Sequence, residues 1–153
     1  MSSDSEFESE EYSAPFYLLR SSEDCWKCGT SCRVVALACG DEEPYMLSSI
    51  ESMPEEFLLT ITAIHPDFEL RYSQMAGSRY FMNTCKCGAH FGDFYLFSEP
   101  GGAFFPTEDD EAAQIEVIEL PFEGNYPFAC SEGMGTGGII LKHGKRVSLS
   151  EIK

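Results

Sequence analysis

The chain has 153 residues, of which 43% are hydrophobic, and its 10 Lys and Arg face 26 Asp and Glu for a formal net charge of −16. This length fits one domain with its own hydrophobic core and leaves little room for two. A surface this acidic repels phosphate groups and anionic membranes, so we expect neither direct nucleic-acid binding nor a membrane partner, whereas it suits solubility or a basic protein partner.

The first predicted segment is acidic. We expect residues 1–13, MSSDSEFESEEYS, to form a flexible tail and residues 14–153 to form a single β-rich domain. An acidic N-terminus is unlike a secretory signal, whose first region is basic, and the longest apolar run, FLLTITAI, is too short to span a bilayer. We therefore expect a cytoplasmic protein, where cysteines indicate metal binding or buried thiols before disulfides.

Short strands separated by turns follow in the first half of the chain. The region 48–64 is ambiguous, because Pro54 could open a short helix there with Glu55 and Glu56 in its first turn. The residues at 41–45, DEEPY, predict a turn. The apolar, β-branched or alternating pattern of strands occurs at 15–20, 32–38, 65–73 and 77–85.

The second half continues the pattern with more glycine. Residues 107–122 predict a capped helical turn, or a loop, that runs into the strand QIEVIEL. The segment GMGTGGIILKHGKRVSL predicts a Gly-rich loop, then a strand and a basic hairpin turn; its glycines precede a strand, whereas those of a dinucleotide-binding loop follow one. Residues 93–97 predict a strand, and residues 99–102 a turn.

Two cysteine pairs, each followed by glycine, are the strongest chemical signal. Cys25 and Cys28 form C-x-x-C, a spacing that lets both sulfurs face one ion while Gly29 permits the positive φ of a knuckle turn. Cys85 and Cys87 form the shorter C-x-C, but residues i and i+2 of an extended segment share a face. We predict a structural Zn²⁺ bound by Cys25, Cys28, Cys85 and Cys87, in a closed tetrahedral site that stabilises folding and catalyses no reaction.

The shortened second pair leaves alternatives open. Cys32 or His90 could replace one ligand, and disulfides or lone thiols are the remaining alternative. Cys39 and Cys130 are expected to be small buried hydrophobic residues. The predicted fold is mostly β, and α+β is the alternative. We expect zinc-ribbon-like knuckles joined to a small antiparallel sheet with at most one or two short helices.

The residues around both knuckles carry a resemblance. CWKCG followed by an apolar strand, and YFMNTCKCGAHFGDFYLFSEPGGAFFP, resemble small bacterial zinc-ribbon proteins with two CxxCG-type motifs. The resemblance covers residues 16–40 and 79–106, and the sequence departs from the pattern by lacking one residue inside the second knuckle. Some members of such groups resemble immunity proteins encoded beside secreted antibacterial toxins. The resemblance therefore implies structural zinc and a toxin-neutralising role.

Charge, cysteines and resemblance together favour a non-enzymatic, acidic protein-binding module. Its sharpest form is an immunity or antitoxin-type protein that neutralises a basic partner, such as a cognate toxin. Two alternatives stay open: a zinc-ribbon regulatory protein acting on nucleic-acid machinery and, less favoured, a zinc or thiol enzyme. The acidic positions expected to contact the partner are Asp41, Glu42, Glu43, Glu55, Glu56, Glu108, Asp109, Asp110 and Glu111.

Overall fold

Strands dominate the part of the chain that the computed structural model describes, namely residues 10–40, 44–73, 77–91, 103–133 and 137–151. The helices are α1 (Glu55–Ile64), α2 (Asp109–Ala112) and α3 (Gly137–His143), with a 3₁₀ turn at Leu149–Glu151. None of these helices is long and apolar enough to cross a membrane. The strands are β1 (Glu10–Ser13), β2 (Phe16–Asp24), β3 (Ser31–Cys39), β4 (Tyr45–Ser52), β5 (Phe68–Ser73), β6 (Ser78–Thr84), β7 (His90–Phe91), β8 (Glu116–Glu119), β9 (Asn125–Gly133) and β10 (Lys145–Val147).

These strands form two sheets. The larger has seven strands in the order β1-β9-β4-β3-β2-β8-β10, and only its β8–β10 pair is parallel. The smaller sheet, β5-β6-β7, is antiparallel throughout. The prediction of a mostly β fold with antiparallel sheets and few helices is confirmed, although the described ranges hold three short α-helices where one or two were expected.

The central hairpin β2–β3 is buried on both faces. Phe16 and Leu18 pack into one hydrophobic cluster with Phe57 of α1, whereas Leu19 packs into a second cluster on the opposite face with Ile140 of α3. Because successive strand side chains point to opposite faces, a strand covered on both sides has an almost continuous apolar sequence. The runs FYLL and VVALAC at the middle of the sheet have this property.

The end of the predicted tail belongs to the large sheet. Glu10–Ser13 pairs antiparallel with β9, and the ring of Tyr12 lies edge-on to that of Phe128 with centroids 5.9 Å apart. Burial of this aromatic ring favours ordering the four residues of β1, which is why the predicted boundary after residue 13 is wrong for them. Residues 1–9 lie outside the described residues.

The segment after the Gly-rich stretch also differs from its prediction. The apolar run IIL belongs to α3 rather than to a strand, and residues 145–147 form β10 beside β8 instead of a hairpin. Three apolar residues are too few to distinguish helical from strand periodicity, and burial of Ile140 and Leu141 against the sheet decides the outcome. A Cβ at Gly144 would lie 2.5 Å from Val117 Cγ2 and 2.6 Å from the Ile140 oxygen, so the chain passes very close to β8 here.

The other predicted elements agree with the structure where it describes them. Pro54 precedes α1, and Glu55 and Glu56 occupy its first turn. The strands expected at 15–20, 32–38, 65–73 and 77–85 correspond to β2, β3, β5 and β6. The predicted strand at 93–97 and turn at 99–102 lie outside the described residues, as do residues 41–43 of the predicted turn at 41–45.

Candidate metal centre

The first knuckle connects β2 to β3. The backbone N–H of Cys25 donates to the Thr30 oxygen at 2.8 Å, and that of Gly29 donates to the Cys25 oxygen at 2.9 Å. Gly29 has φ of 79°, a left-handed conformation that side chains disfavour. The amides of Lys27 and Cys28 point at Cys25 Sγ from 3.4 and 3.5 Å. The turn therefore surrounds one sulfur with backbone N–H donors.

The second knuckle connects β6 to β7 and closes in the same way, despite being one residue shorter. The N–H of Cys85 donates to the Ala89 oxygen at 2.7 Å, and that of Gly88 donates to the Cys85 oxygen at 2.9 Å. Gly88 has φ of 99°. The C-x-C spacing is accommodated because the turn itself is shorter, and both sulfurs still face the first knuckle.

The four predicted cysteines form one cluster. The sulfurs of Cys25 and Cys87 are 3.7 Å apart, those of Cys28 and Cys85 are 3.6 Å apart, and all four lie within 4.8 Å of one another. A disulfide needs an S–S distance near 2.05 Å, so these are four free thiols at a spacing suited to a shared metal ion. The pairs cross between knuckles, so neither knuckle alone assembles the site.

The pKa values of the thiols are lowered in the first knuckle and raised in the second. Hydrogen bonds from the Thr30 side chain and backbone lower the pKa of Cys28 to about 6, and the N–H of Cys28 lowers that of Cys25. For Cys85, the N–H of Cys87 favours the thiolate, but the Cys32 thiol and burial oppose it and raise the pKa to about 11. The first knuckle thus favours negative charge before any cation arrives.

The pKa of Cys87 is also raised to about 11. Its thiolate is favoured by the Ala89 N–H, but this effect is outweighed by burial and by the neighbouring cysteine thiols. A bound cation would remove the protons from these two thiols, because metal ligation requires thiolate.

Cysteines outside the cluster occupy other environments. Cys32 is half-buried at the start of β3, with its sulfur 3.6 Å from the Thr30 oxygen. Cys39 is buried, as expected. Cys130, which was also expected to be buried, is only half-buried, with its sulfur 3.7 Å from the Tyr12 hydroxyl. Cys32 is not one of the four clustered cysteines, but its thiol contacts that of Cys85, so its role as a substitute ligand stays a prediction.

The histidines also stay outside the cluster. His90 contributes its backbone oxygen, which accepts a hydrogen bond of 3.1 Å from Trp26 Nε1 and so links the two knuckles. Burial lowers the pKa of His65. His143 Nε2 lies 3.5 Å from Asp109 Oδ1, which connects α3 to α2.

Two basic residues and one acidic residue, Asp67, line a cavity beside the thiols. A cavity of 570 Å³ opens beside the cluster and is lined by Cys28, Cys85 and Cys87 together with Arg33 and Lys86. Both cations already have carboxylate partners, because Arg33 pairs with Glu116 at 2.8 Å and Lys86 lies 3.9 Å from Asp67.

Asn83 positions the second knuckle, and the sequence analysis did not single it out. Its Oδ1 accepts from the Val35 N–H at 2.8 Å, and its Nδ2 donates to the Val35 oxygen at 3.0 Å. β4 pairs with β3 only over 37–39, so the amide of Asn83 takes the place of a neighbouring strand at Val35. Asn83 precedes Cys85 by two residues and is 1% exposed. A lone Asn inside a strand pattern that runs into a knuckle was the available signal.

The acidic positions of the predicted partner surface fall into two described groups. Glu55 and Glu56 are exposed at the start of α1, and Glu108 and Asp110 are exposed at α2. The carboxylates of these four residues have no hydrogen-bond or ion-pair partner among the residues described. Asp41, Glu42 and Glu43 lie outside the described residues.

The remaining two acids at α2 have partners inside the fold. Asp109 faces His143, and the Oε1 of Glu111 accepts from the Thr107 N–H at 2.8 Å. Both side chains are nevertheless on an exposed turn, so the whole segment 108–111 presents carboxylates to solvent.

No family model matches the chain, and neither the curated proteins nor the solved structures include a significant match.

Proposed function

We propose that the chain is a non-enzymatic protein-binding module, held together by a structural Zn²⁺, that binds a basic protein partner. For the metal, the support is geometric. Thiolates about 2.3 Å from Zn²⁺ lie about 3.8 Å apart at the corners of a tetrahedron. The cross-knuckle sulfur distances of 3.6 and 3.7 Å are close to this edge before any ion is considered.

A site of this kind supports a structural role for the ion. Four cysteines fill a tetrahedral coordination shell and leave no position for water or substrate. Metal analysis of the purified protein is expected to find one zinc per chain. Cobalt substitution should give the absorption spectrum of four-sulfur tetrahedral coordination, whereas a spectrum with fewer thiolates would contradict the proposal.

The observation that carries the binding proposal is a set of exposed carboxylates that have no partner among the described residues, in a chain of net charge −16. Glu55, Glu56, Glu108 and Asp110 are free to pair with cations of another molecule, and carboxylates at a rim accelerate association with a basic surface. In its sharpest form, which rests on the resemblance at the knuckles, the partner is a toxin that the chain neutralises. We further propose that the protein works in the cytoplasm, where thiols stay reduced.

Capture from lysate of the native cells tests the binding proposal. The metal-loaded, tagged chain is expected to retain a basic protein at low salt and to release it at high salt, because exposed charges are screened. The paired variants Glu55→Gln/Glu56→Gln and Glu108→Gln/Asp110→Asn should weaken capture. The matched control Glu10→Gln/Glu11→Gln removes two exposed carboxylates from β1 and should not.

Two outcomes would contradict the proposal. One is capture that neither salt nor the paired variants reduce. The other would contradict the proposal that the partner is a toxin: the captured protein does not impair growth when it is expressed alone. If the partner is a toxin, co-expression with this chain should restore growth, and the paired acidic variants should restore it less.

A further inference from the structure

The outer strand of the small sheet carries an exposed apolar surface that the proposed function does not use. β5 is the edge of the β5-β6-β7 sheet among the residues described. Leu70 is 44% exposed and Tyr72 is 54% exposed. The two share one face of β5 with Phe68, because strand side chains alternate. An exposed edge strand with apolar side chains offers backbone groups for pairing with another strand.

The hydrogen-bond pattern shows which backbone groups face outward. The Thr84 N–H donates to the Asp67 oxygen at 2.9 Å, so Asp67 and Thr84 are a hydrogen-bonded pair of the β5–β6 ladder. Such pairs alternate with non-bonded pairs in antiparallel sheets. The backbone groups of Phe68, Leu70 and Tyr72 therefore point to the open edge, except that the Phe68 N–H already donates to the His65 oxygen at 3.3 Å.

The charges on the other face of β5 are self-complementary. Glu69 and Arg71 flank Leu70 and form an ion pair of 2.9 Å within one copy, and both side chains are exposed enough to reach a second strand. If two copies of β5 align antiparallel with Leu70 opposite Leu70, each Glu69 lies opposite an Arg71. If the two-fold axis lay one residue earlier or later, Glu69 would lie opposite Glu69, or Arg71 opposite Arg71. Like charges directly opposite each other destabilise a strand pair, whereas opposite charges stabilise it.

We propose that β5 is a homodimerisation edge, at which a second copy of this chain pairs antiparallel across a two-fold axis at Leu70. The register gives four backbone hydrogen bonds: two between the Leu70 residues, and two from the Tyr72 N–H groups to the Phe68 oxygens. It also stacks the exposed apolar side chains of both copies on one face. Near this edge Arg71 pairs with Glu69, Lys86 lies close to Asp67, and Arg79 is the ladder partner of Tyr72, so the local charge is less negative than that of the whole chain.

Sedimentation of the metal-loaded full chain over a range of concentrations tests the proposal. We expect a reversible monomer–dimer equilibrium that shifts toward dimer as salt screens the net charge of −16. This salt response is opposite to that of the basic partner, so the two proposals can fail separately. A chain that stays monomeric at every concentration and salt level would overturn the inference.

Exchanging the charges at Glu69 and Arg71 tests the proposed register directly. Glu69→Arg alone and Arg71→Glu alone should each lose dimerisation, because like charges then face each other. An equimolar mixture of these two variants should dimerise again, since one copy presents two cations to two carboxylates of the other. Recovery in the mixture also shows that both variants fold. Two folded variants that remain monomeric when mixed would refute the register.

A matched pair of leucine variants tests the apolar face. Leu70→Lys should abolish the dimer, whereas Leu59→Lys, which adds the same charge at an exposed leucine of α1, should leave it intact. If Leu70→Lys leaves the chain's self-association unchanged but weakens capture of the basic partner, β5 binds a strand of that partner instead, and its assignment as a homodimerisation edge is wrong.

Discussion

The side chain of Asn83 offers the most direct test of how the metal centre is assembled. It is buried, and its amide satisfies both the N–H and the C=O of Val35 at 2.8 and 3.0 Å. Asn83→Ala leaves both groups of Val35 without a partner in a residue that is 1% exposed. Each orphaned buried group costs about 1–3 kcal/mol, so we expect a loss of about 2–6 kcal/mol in the free energy of unfolding.

Urea unfolding of the metal-loaded chain, followed by circular dichroism, measures this loss. The control is Asn125→Ala, because Asn125 is exposed and, among the described residues, its side chain accepts one surface hydrogen bond of 2.6 Å, from Ser13 Oγ. We expect the control to change the free energy of unfolding by less than about 0.5 kcal/mol. Asn83→Asp should also destabilise, since a carboxylate cannot donate to the Val35 oxygen.

The same variant has a second readout at the cysteines. Asn83 anchors β6 to β3, and these strands carry the two knuckles, so Asn83→Ala should weaken metal retention against a competing chelator. If Asn83→Ala costs no more stability than Asn125→Ala and retains metal equally well, the amide does not hold the two sheets together and the reasoning fails.

Three further predictions concern the ligands, a glycine and an ion pair. Cys85→Ser should lose stoichiometric metal and the four-sulfur cobalt spectrum, whereas Cys32→Ser should keep both; loss of the spectrum in Cys32→Ser would make that residue a ligand. Gly144→Ala should cost about 1–3 kcal/mol in the free energy of unfolding, because the added Cβ has no room beside β8. The control Gly138→Ala should not destabilise α3, because its Cβ would meet nothing within 4 Å. Equal effects of the two variants in thermal unfolding would contradict the close approach of Gly144 to β8. Burial favours protonation of Glu116, but Arg20 and Arg33 outweigh it and lower the pKa of this carboxyl. Its stabilising contribution is therefore complete above the unfolded pKa and is lost as pH falls through the folded pKa. Glu116→Gln should cost about 1–2 kcal/mol at pH 7 and progressively less in acid; a difference in urea midpoints that stays constant down to acid pH would exclude this linkage.

Much of the architecture was predictable because local signals agreed with the tertiary structure. The apolar runs at β2 and β3 are long enough to identify strands, and Pro54 followed by two acids marks the start of α1. The C-x-x-C-G and C-x-C-G motifs predicted the members of the cluster, since cysteine spacing and the following glycine are properties of a few neighbouring residues. These features depend on short stretches of chain and can therefore be read from sequence.

The features that sequence analysis missed depend on contacts between distant segments. The residues of β1 resemble a solvated tail until Tyr12 meets Phe128, and the run IIL resembles a strand until it packs on the sheet as α3. The acidic residues were identified by composition, but which carboxylates remain without a partner depends on distant neighbours such as His143.

The sequence by itself determined that this chain is an acidic, mostly β protein with four cysteines placed for a shared metal ion. Only the tertiary structure decided that the sulfurs pair across knuckles, that Asn83 connects the two sheets, and that β5 lies at an edge. The physical reason is how far apart in the sequence the interacting residues lie. Strand pattern and knuckle turns arise from neighbouring residues, whereas a ligand cluster and a buried amide pair join positions 48 or more residues apart, whose meeting is decided by the packing of the whole chain.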